Sequence, residues 1–215
     1  MISHHHRTVF VHIPKCGGQS VETAFLTDIG LDWETRAPLL LRRNDNPRLG
    51  PPLLGHLTAQ EYMTFRYLPE AMFDAYFTFA VVRDPYARAV SLFNYVRFTR
   101  GLVPFCTKYL PRVFELAAEY ATPGHRYRGN YHFVRPQADY VLDADGRIMV
   151  DEVVKLEEIA TRFDTIRARS GLRADLPHVN HTTDKKARPS DLTDEARAAL
   201  RRLYAADFET FGYAP

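Results

Sequence analysis

Cysteine is scarce in this 215-residue chain, and the two present, Cys16 and Cys106, make neither a disulfide framework nor a zinc spacing. A reducing compartment is the expectation that follows. An excess of one charge is lacking too. Twenty-eight Lys and Arg against 26 Asp and Glu leave a formal net charge of +2, too small to imply nucleic-acid binding. No apolar run approaches the roughly 20 residues that span a bilayer. The histidines at positions 4–6 lead straight into a strand pattern, leaving no room for a signal peptide. A soluble, cytoplasmic protein is expected. Without internal repeats or a dividing linker, a single domain over 1–215 is expected as well. What the chain does hold is 13% aromatic and 46% hydrophobic residues, enough for a sizeable core.

The segment 9–13 (VFVHI) is a short β-branched run of the kind found in buried parallel strands. A Pro-Lys-Cys-Gly-Gly turn follows, and then Val21, Ala24, Phe25 and Ile29 recur at helical spacing. Strand, glycine turn and helix open an α/β nucleotide-binding fold. Residues 35–55, rich in Pro, Arg and Asn, read as an irregular insertion. Helical patterns surround 58–66 and 69–75, and 78–82 (TFAVV) is a second buried strand. Asp84 and Pro85 make a helix start, a capping carboxylate before proline at the first position. That helix is predicted to reach about Arg97, and another to cover 111–120. Residues 140–142 and 147–150 flank a turn at 143–146 as a hairpin would. A strand at 153–156 feeds a helix over 157–169. A closing helix over 194–210, capped by Thr193, has the stripe Ala196, Leu200, Leu203, Tyr204 and Phe208. The expectation is a three-layer α/β fold like that of the P-loop nucleotide hydrolases, with a mostly parallel sheet between helices. Residues 4–6 read as a frayed terminus rather than a metal-binding tract.

Two strand-to-helix junctions carry anion-binding chemistry. In HIPKCGGQS (12–20), glycines let backbone approach an anion, and the following helix directs free N–H groups and a positive dipole end at it. Lys15 adds a full charge and Ser20 a hydroxyl. The lysine precedes the glycines, unlike GxxxxGK[ST], which weakens a kinase reading. Cys16 has no evident His/Asp partnership and reads as a small loop residue. In VRDPYARAVSLFNY (82–95), Ala89, Leu92, Phe93 and Val96 form a core stripe, while Arg88, Ser91 and Tyr95 form a second one. Arg83 follows the strand's carboxyl end, where ligands bind in open α/β sheets. Arg83 and Ser91 can together present a fork of donors and a hydroxyl to one phosphate.

Together these two segments resemble the 5′-phosphosulfate loop and the 3′-phosphate motif of sulfotransferases that use 3′-phosphoadenosine 5′-phosphosulfate (PAPS). The likeness is to the carbohydrate O-sulfotransferases that include the heparan sulfate and uronyl 2-O-sulfotransferases. It extends to Gly55-His56-Leu57-Thr58, to 135–140 through 157, to Thr182-Thr183-Asp184-Lys185-Lys186, and to 207–213. Gln19 departs from it, standing where a small hydroxyl residue is usual. The resemblance implies transfer of a sulfuryl group from PAPS to a hydroxyl, leaving adenosine 3′,5′-bisphosphate. The acceptor is a carbohydrate or glycoconjugate by the same implication. It further implies cofactor contacts from Lys15, Cys16, Gly17, Gly18, Gln19, Ser20, Arg83, Ser91, Thr182, Thr183, Lys185 and Lys186. Lys15 would stabilise the leaving phosphate oxygen, and His56 would be the general base, histidine being suited to that task near neutral pH. The scheme requires no metal.

Other residues compete for roles. Glu157 is an alternative acid or base, with a structural role favoured. His12 reads as a strand residue, and His178 and His181 as shaping the cofactor loop. Arg97, Arg100, Lys108, Arg126, Arg128 and Arg135 could line a cleft for an acidic saccharide. A nucleotide-kinase-type phosphotransferase and a non-catalytic bisphosphate-binding module are the alternative functions.

Overall fold

The computed structural model describes residues 1–96, 98–119, 127, 130–177 and 186–215. The strands are β1 (Ile2–Ser3), β2 (Thr8–Val11), β3 (Phe77–Val82) and β4 (Glu152–Lys155). The helices are α1 (Gly18–Asp28), α2 (Ala59–Thr64), α3 (Glu70–Ala75), α4 (Pro85–Val96), α5 (Leu102–Pro104), α6 (Leu110–Glu119), α7 (Tyr131–Val134), α8 (Ala138–Val141), α9 (Ile159–Ser170), α10 (Asp194–Leu203) and α11 (Ala205–Phe211). The sheet runs β1-β2-β3-β4, with β1 antiparallel to β2 and the remaining pairs parallel. A mostly parallel sheet with flanking helices is the α/β architecture expected from the strand–turn–helix pattern, and is consistent with a three-layer arrangement.

The chain divides into two compact units, Met1–Val82 with Asp139–His181, and Arg83–Ala138 with Thr182–Pro215. In the first, Phe10, Phe79, Val81 and Val154 project from the strands into a cluster with Val21, Ala24 and Phe25 of α1 and Phe163 and Ile166 of α9. The spacing of 21, 24 and 25 is one face of a helix, so α1 buries the stripe its sequence advertises. In the second unit, Ala89, Leu92 and Phe93 of α4 pack with Phe105, Leu110, Ala196, Leu200, Tyr204 and Phe208. Each buried Val, Leu, Ile or Phe side chain among these contributes about 1.5–3 kcal/mol.

Local signals held where the deciding contacts are local. The Asp84 carboxylate accepts from the Ala87 N–H at 2.7 Å, capping α4 as expected. Thr193 accepts from Ala196 N–H at 3.3 Å and caps α10. Three expectations fail. The 140–150 hairpin is reduced to one bridge, Leu142 to Ile148, because residues before it wind into α8. The turn itself survives, the Asp143 N–H donating to Arg147 O. The closing helix breaks at Tyr204 (φ −115°, ψ 27°), whose buried hydroxyl donates to Val134 O at 2.8 Å.

The histidine tract is the third correction, for it is not frayed. His6 is buried, with Nε2 3.0 Å from Asp28 Oδ2 and Nδ1 2.7 Å from Ser3 Oγ. The carboxylate only accepts, so Nε2–H donates to it, and in the neutral ring Nδ1 accepts from the Ser3 hydroxyl. Serine, histidine and aspartate stand in line as in a hydrolase, but Ser3 is fully enclosed and no substrate reaches it. The trio is a clasp. Asp28 also accepts from the Arg173 and Ala174 N–H groups at 3.0 and 2.8 Å. Burial opposes ionisation of Asp28, but the His6 bond and these amides outweigh it and hold the carboxyl below its usual range. A carboxyl with a depressed native pKa stabilises the fold above the unfolded pKa, near 4, and that stabilisation is lost as pH falls through the native value. Asp28→Asn should therefore lower the unfolding free energy at pH 7 by about 1.5–3 kcal/mol, the range of a hydrogen bond to a charged group. It should also flatten the loss of stability below pH ~4, measured by urea unfolding at a series of pH values.

Candidate functional site

The first-unit loop runs from His12 to Ser20. Lys15 holds φ 69°, a left-handed value uncommon for a residue with a β-carbon, and Gly17 follows at φ 78° as the N-cap of α1. No side chain caps this helix and no acidic residue lies in its first turn. Its N-terminus thus presents main-chain donors and a positive dipole end without a competing carboxylate. Gly18 has a second cause, invisible in the sequence. A β-carbon on Gly17 would lie 2.5 Å from Leu156 Cδ1, and one on Gly18 would lie 2.2 Å from His12 Nε2 and Cδ2. At Gly18 the held His12 ring leaves no room for a side chain, whereas at Gly17 the contact is with the end of a flexible leucine and the positive φ is what favours glycine. Cys16 is buried, its thiol pointing to Pro14 O at 3.6 Å, which fits the small loop residue expected. Gln19 is exposed and Ser20 half-buried.

His56 ends a 3-10 turn, Leu54–His56. Two residues on, Thr58 starts α2 with a reciprocal capping box. Its hydroxyl accepts from Glu61 N–H at 3.1 Å, and Glu61 Oε2 accepts from Thr58 N–H at 3.0 Å. Capping therefore belongs to Thr58, and His56 is left for another task. Its Nδ1 lies 3.1 Å from the His12 main-chain oxygen. A carbonyl only accepts, so Nδ1 carries the proton and Nε2 the lone pair of the neutral ring. That is the tautomer a general base needs. The half-buried His56 ring meets the His12 ring edge-on, with centroids 4.5 Å apart.

In the second unit, Arg83 is half-buried and its backbone is gripped at both ends by one side chain. Gln137 Oε1 accepts from Arg83 N–H, and Gln137 Nε2 donates to Arg83 O, each at 2.8 Å. Gln137 is in turn held by Asp207 Oδ2 at 3.2 Å, while Asp207 Oδ1 accepts from Ala138 N–H at 2.9 Å. Burial raises the Asp207 carboxyl above its usual range against the pull of Arg88 and these bonds. Sequence reasoning missed Gln137 and Asp207. Their only signal was that segments 135–140 and 207–213 both resembled one family while carrying no evident chemistry.

The second stripe of α4 comes apart. Arg88 is buried and donates to the Arg135 and Phe133 carbonyls at 3.0 and 3.3 Å, so it braces the chain around 133–135. Ser91 stays half-buried and Tyr95 is exposed, stacked on Phe133. Arg135 is buried as well, apart from the exposed Arg100 and Lys108 with which it was grouped. Thr182, Thr183, Lys185, His178, His181, Arg97, Arg126 and Arg128 lie outside the described residues, and Lys186 is exposed. Glu157 is exposed on the turn after β4, and burial pushes the Cys106 thiol up to about 12. Among the described residues no group of His, Cys, Asp and Glu is arranged to hold a metal, and no helix is long and apolar enough to cross a membrane.

No curated protein and no solved structure matches the chain significantly. The sulfotransferase family, however, matches it over residues 1–214, which takes in both strand-to-helix junctions, the His56 segment and the Gln137–Asp207 brace. The chain belongs to the sulfotransferase family.

Proposed function

We propose that the protein transfers a sulfuryl group from PAPS to a hydroxyl, with a carbohydrate as acceptor, Lys15 stabilising the leaving phosphate oxygen and His56 as general base. The observation that carries this reading lies in the first unit. A lysine held at φ 69° precedes a helix N-terminus without a side-chain cap, and the His12 that opens the same loop holds a histidine in the base tautomer. The uncapped helix end and the loop free of carboxylates suit the phosphosulfate, which brings its own negative charge.

In this scheme the acceptor oxygen attacks sulfur while its proton passes to His56 Nε2. The bond from sulfur to the bridging 5′-phosphate oxygen breaks, and the charge that develops there meets the Lys15 ammonium and the N–H groups of the α1 turn. Transfers of this kind depend on alignment and charge neutralisation more than on covalent help from the protein. Arg83, with its main chain held by Gln137, and Ser91 would take the 3′-phosphate. The late loop with Thr182, Thr183, Lys185 and Lys186 would add contacts to the nucleotide. Resemblance to the 2-O-sulfotransferases supports the sugar acceptor, and the cytoplasmic setting is proposed from the scarcity of cysteine.

Calorimetric titration with adenosine 3′,5′-bisphosphate, AMP and ATP·Mg²⁺ tests the donor. The bisphosphate should bind best, and Arg83→Ala should weaken it by about 10–100-fold, as loss of a charge-assisted pair costs roughly 1.5–3 kcal/mol. Preference for ATP·Mg²⁺, or no binding at all, would overturn the reading.

A further inference from the structure

Beneath the loop lies a pair that the scheme above does not use. Glu22, in the second turn of α1, places Oε1 2.6 Å from His12 Nδ1, and the two side chains are only 3% and 9% exposed. A carboxylate so enclosed is costly unless a donor meets it, so the bond is charge-assisted and holds the ring in one orientation. The His12 ring is fixed on its other sides as well. Phe10 stacks on it with centroids 5.5 Å apart, and Gly18 sits so close that a β-carbon there would touch Nε2 at 2.2 Å. The same residue then reaches His56 twice, through its carbonyl to Nδ1 at 3.1 Å and through its ring, 4.5 Å between centroids. Glu22 also backs the turn carrying His56, since a β-carbon on Gly55 would lie 3.6 Å from its Oε1.

We infer that Glu22 and His12 are positioning residues for His56: Glu22 locks the His12 ring, and His12 sets the tautomer and the ring plane of His56. The inference rests on His56 being the base. A base must be held within about 0.5 Å and 10–20° of its productive geometry, and a displacement of about 1 Å can cost 10²-fold in rate. The His12 carbonyl alone selects the tautomer. The His12 ring, edge-on to that of His56, restrains rotation about that hydrogen bond. The bond from Nδ1 to Glu22 sets which way that ring is turned between Phe10 and Gly18.

Long-range ¹H–¹⁵N spectra of the imidazoles test this in the full chain, alongside kinetics with PAPS. The wild type should show His56 as a single Nδ1–H tautomer above its titration. Glu22→Gln keeps shape but lets an amide donate to His12 Nδ1. It should shift and broaden the His56 ring resonances as the ring plane is released, with the Nδ1–H tautomer kept by the His12 carbonyl, and lower kcat by about 10–100-fold, with bisphosphate affinity within about twofold of wild type. His12→Asn keeps a donor for Glu22 while removing the ring, and should give the same response should Glu22→Gln not fold. His56 resonances unchanged in a folded variant overturn the inference, whatever the rate. Failure of the wild type to transfer sulfuryl from PAPS overturns the functional reading instead, and the spectra still decide the positioning.

Discussion

A His56→Ala variant should bind adenosine 3′,5′-bisphosphate as the wild type does while losing about 10²–10⁴ in kcat, the usual contribution of a general base. The expectation rests on the Nδ1 contact to the His12 carbonyl. With that nitrogen committed as a donor, Nε2 is the one that can take a proton from an acceptor hydroxyl. His56 is half-buried on a short turn, and the cap of α2 is Thr58 rather than His56, so the helix behind it should keep its start when the imidazole is removed. Turnover with PAPS and calorimetry with the bisphosphate, run on the same preparation, separate the outcomes. Unchanged turnover would remove His56 from the mechanism. Loss of binding together with turnover would make it a ligand contact and leave the base unassigned.

Removing the Lys15 ammonium is expected to cost about 10²–10³ in kcat, the range seen when a preorganised donor to a developing oxyanion is removed. The backbone adds a second expectation. At φ 69° a β-carbon crowds the chain at a cost on the order of 1–2 kcal/mol, whereas glycine adopts the same angle without it. Lys15→Gly should thus be as stable as the wild type, or more so, while turning over as poorly as Lys15→Ala. Strain kept at a position whose side chain is needed is how a functional site departs from maximum stability. Urea unfolding and kcat measured on both variants give the comparison. A Lys15→Gly protein that is markedly less stable, or either variant retaining turnover within about tenfold of wild type, would show that the lysine serves the loop's conformation and not the leaving group.

Much of the architecture could be read from neighbours in the chain. Val21, Ala24 and Phe25 share a helix face and are buried together. Asp84 and Thr193 cap the helices that follow them. The strand–turn–helix at 8–28 and the sheet's parallel character were legible in the short β-branched runs 9–13 and 78–82. The same local reading misled where a distant partner decides. Tyr204 fits a helical stripe, yet its hydroxyl is drawn to Val134 O and the helix breaks there. The 140–150 segment carries hairpin chemistry, yet Ala138–Val141 is helical.

By itself, the sequence determined the class of fold, the two glycine- and arginine-bearing junctions, and His56 as the histidine to examine. Periodicity, caps and turn residues express energies between positions a few residues apart, and those are present in any window of the chain. Tertiary structure alone decided which buried polar groups meet: His6 with Asp28, His12 with Glu22, Gln137 with both Arg83 and Asp207. Once enclosed, each of these groups must find a partner or pay heavily in desolvation, and any of several carboxylates or amides could have served. The choice is made by which segments the hydrophobic clusters bring together, 10 to 70 residues apart in these cases. It is therefore written in the packing of the whole chain and in no short stretch of it.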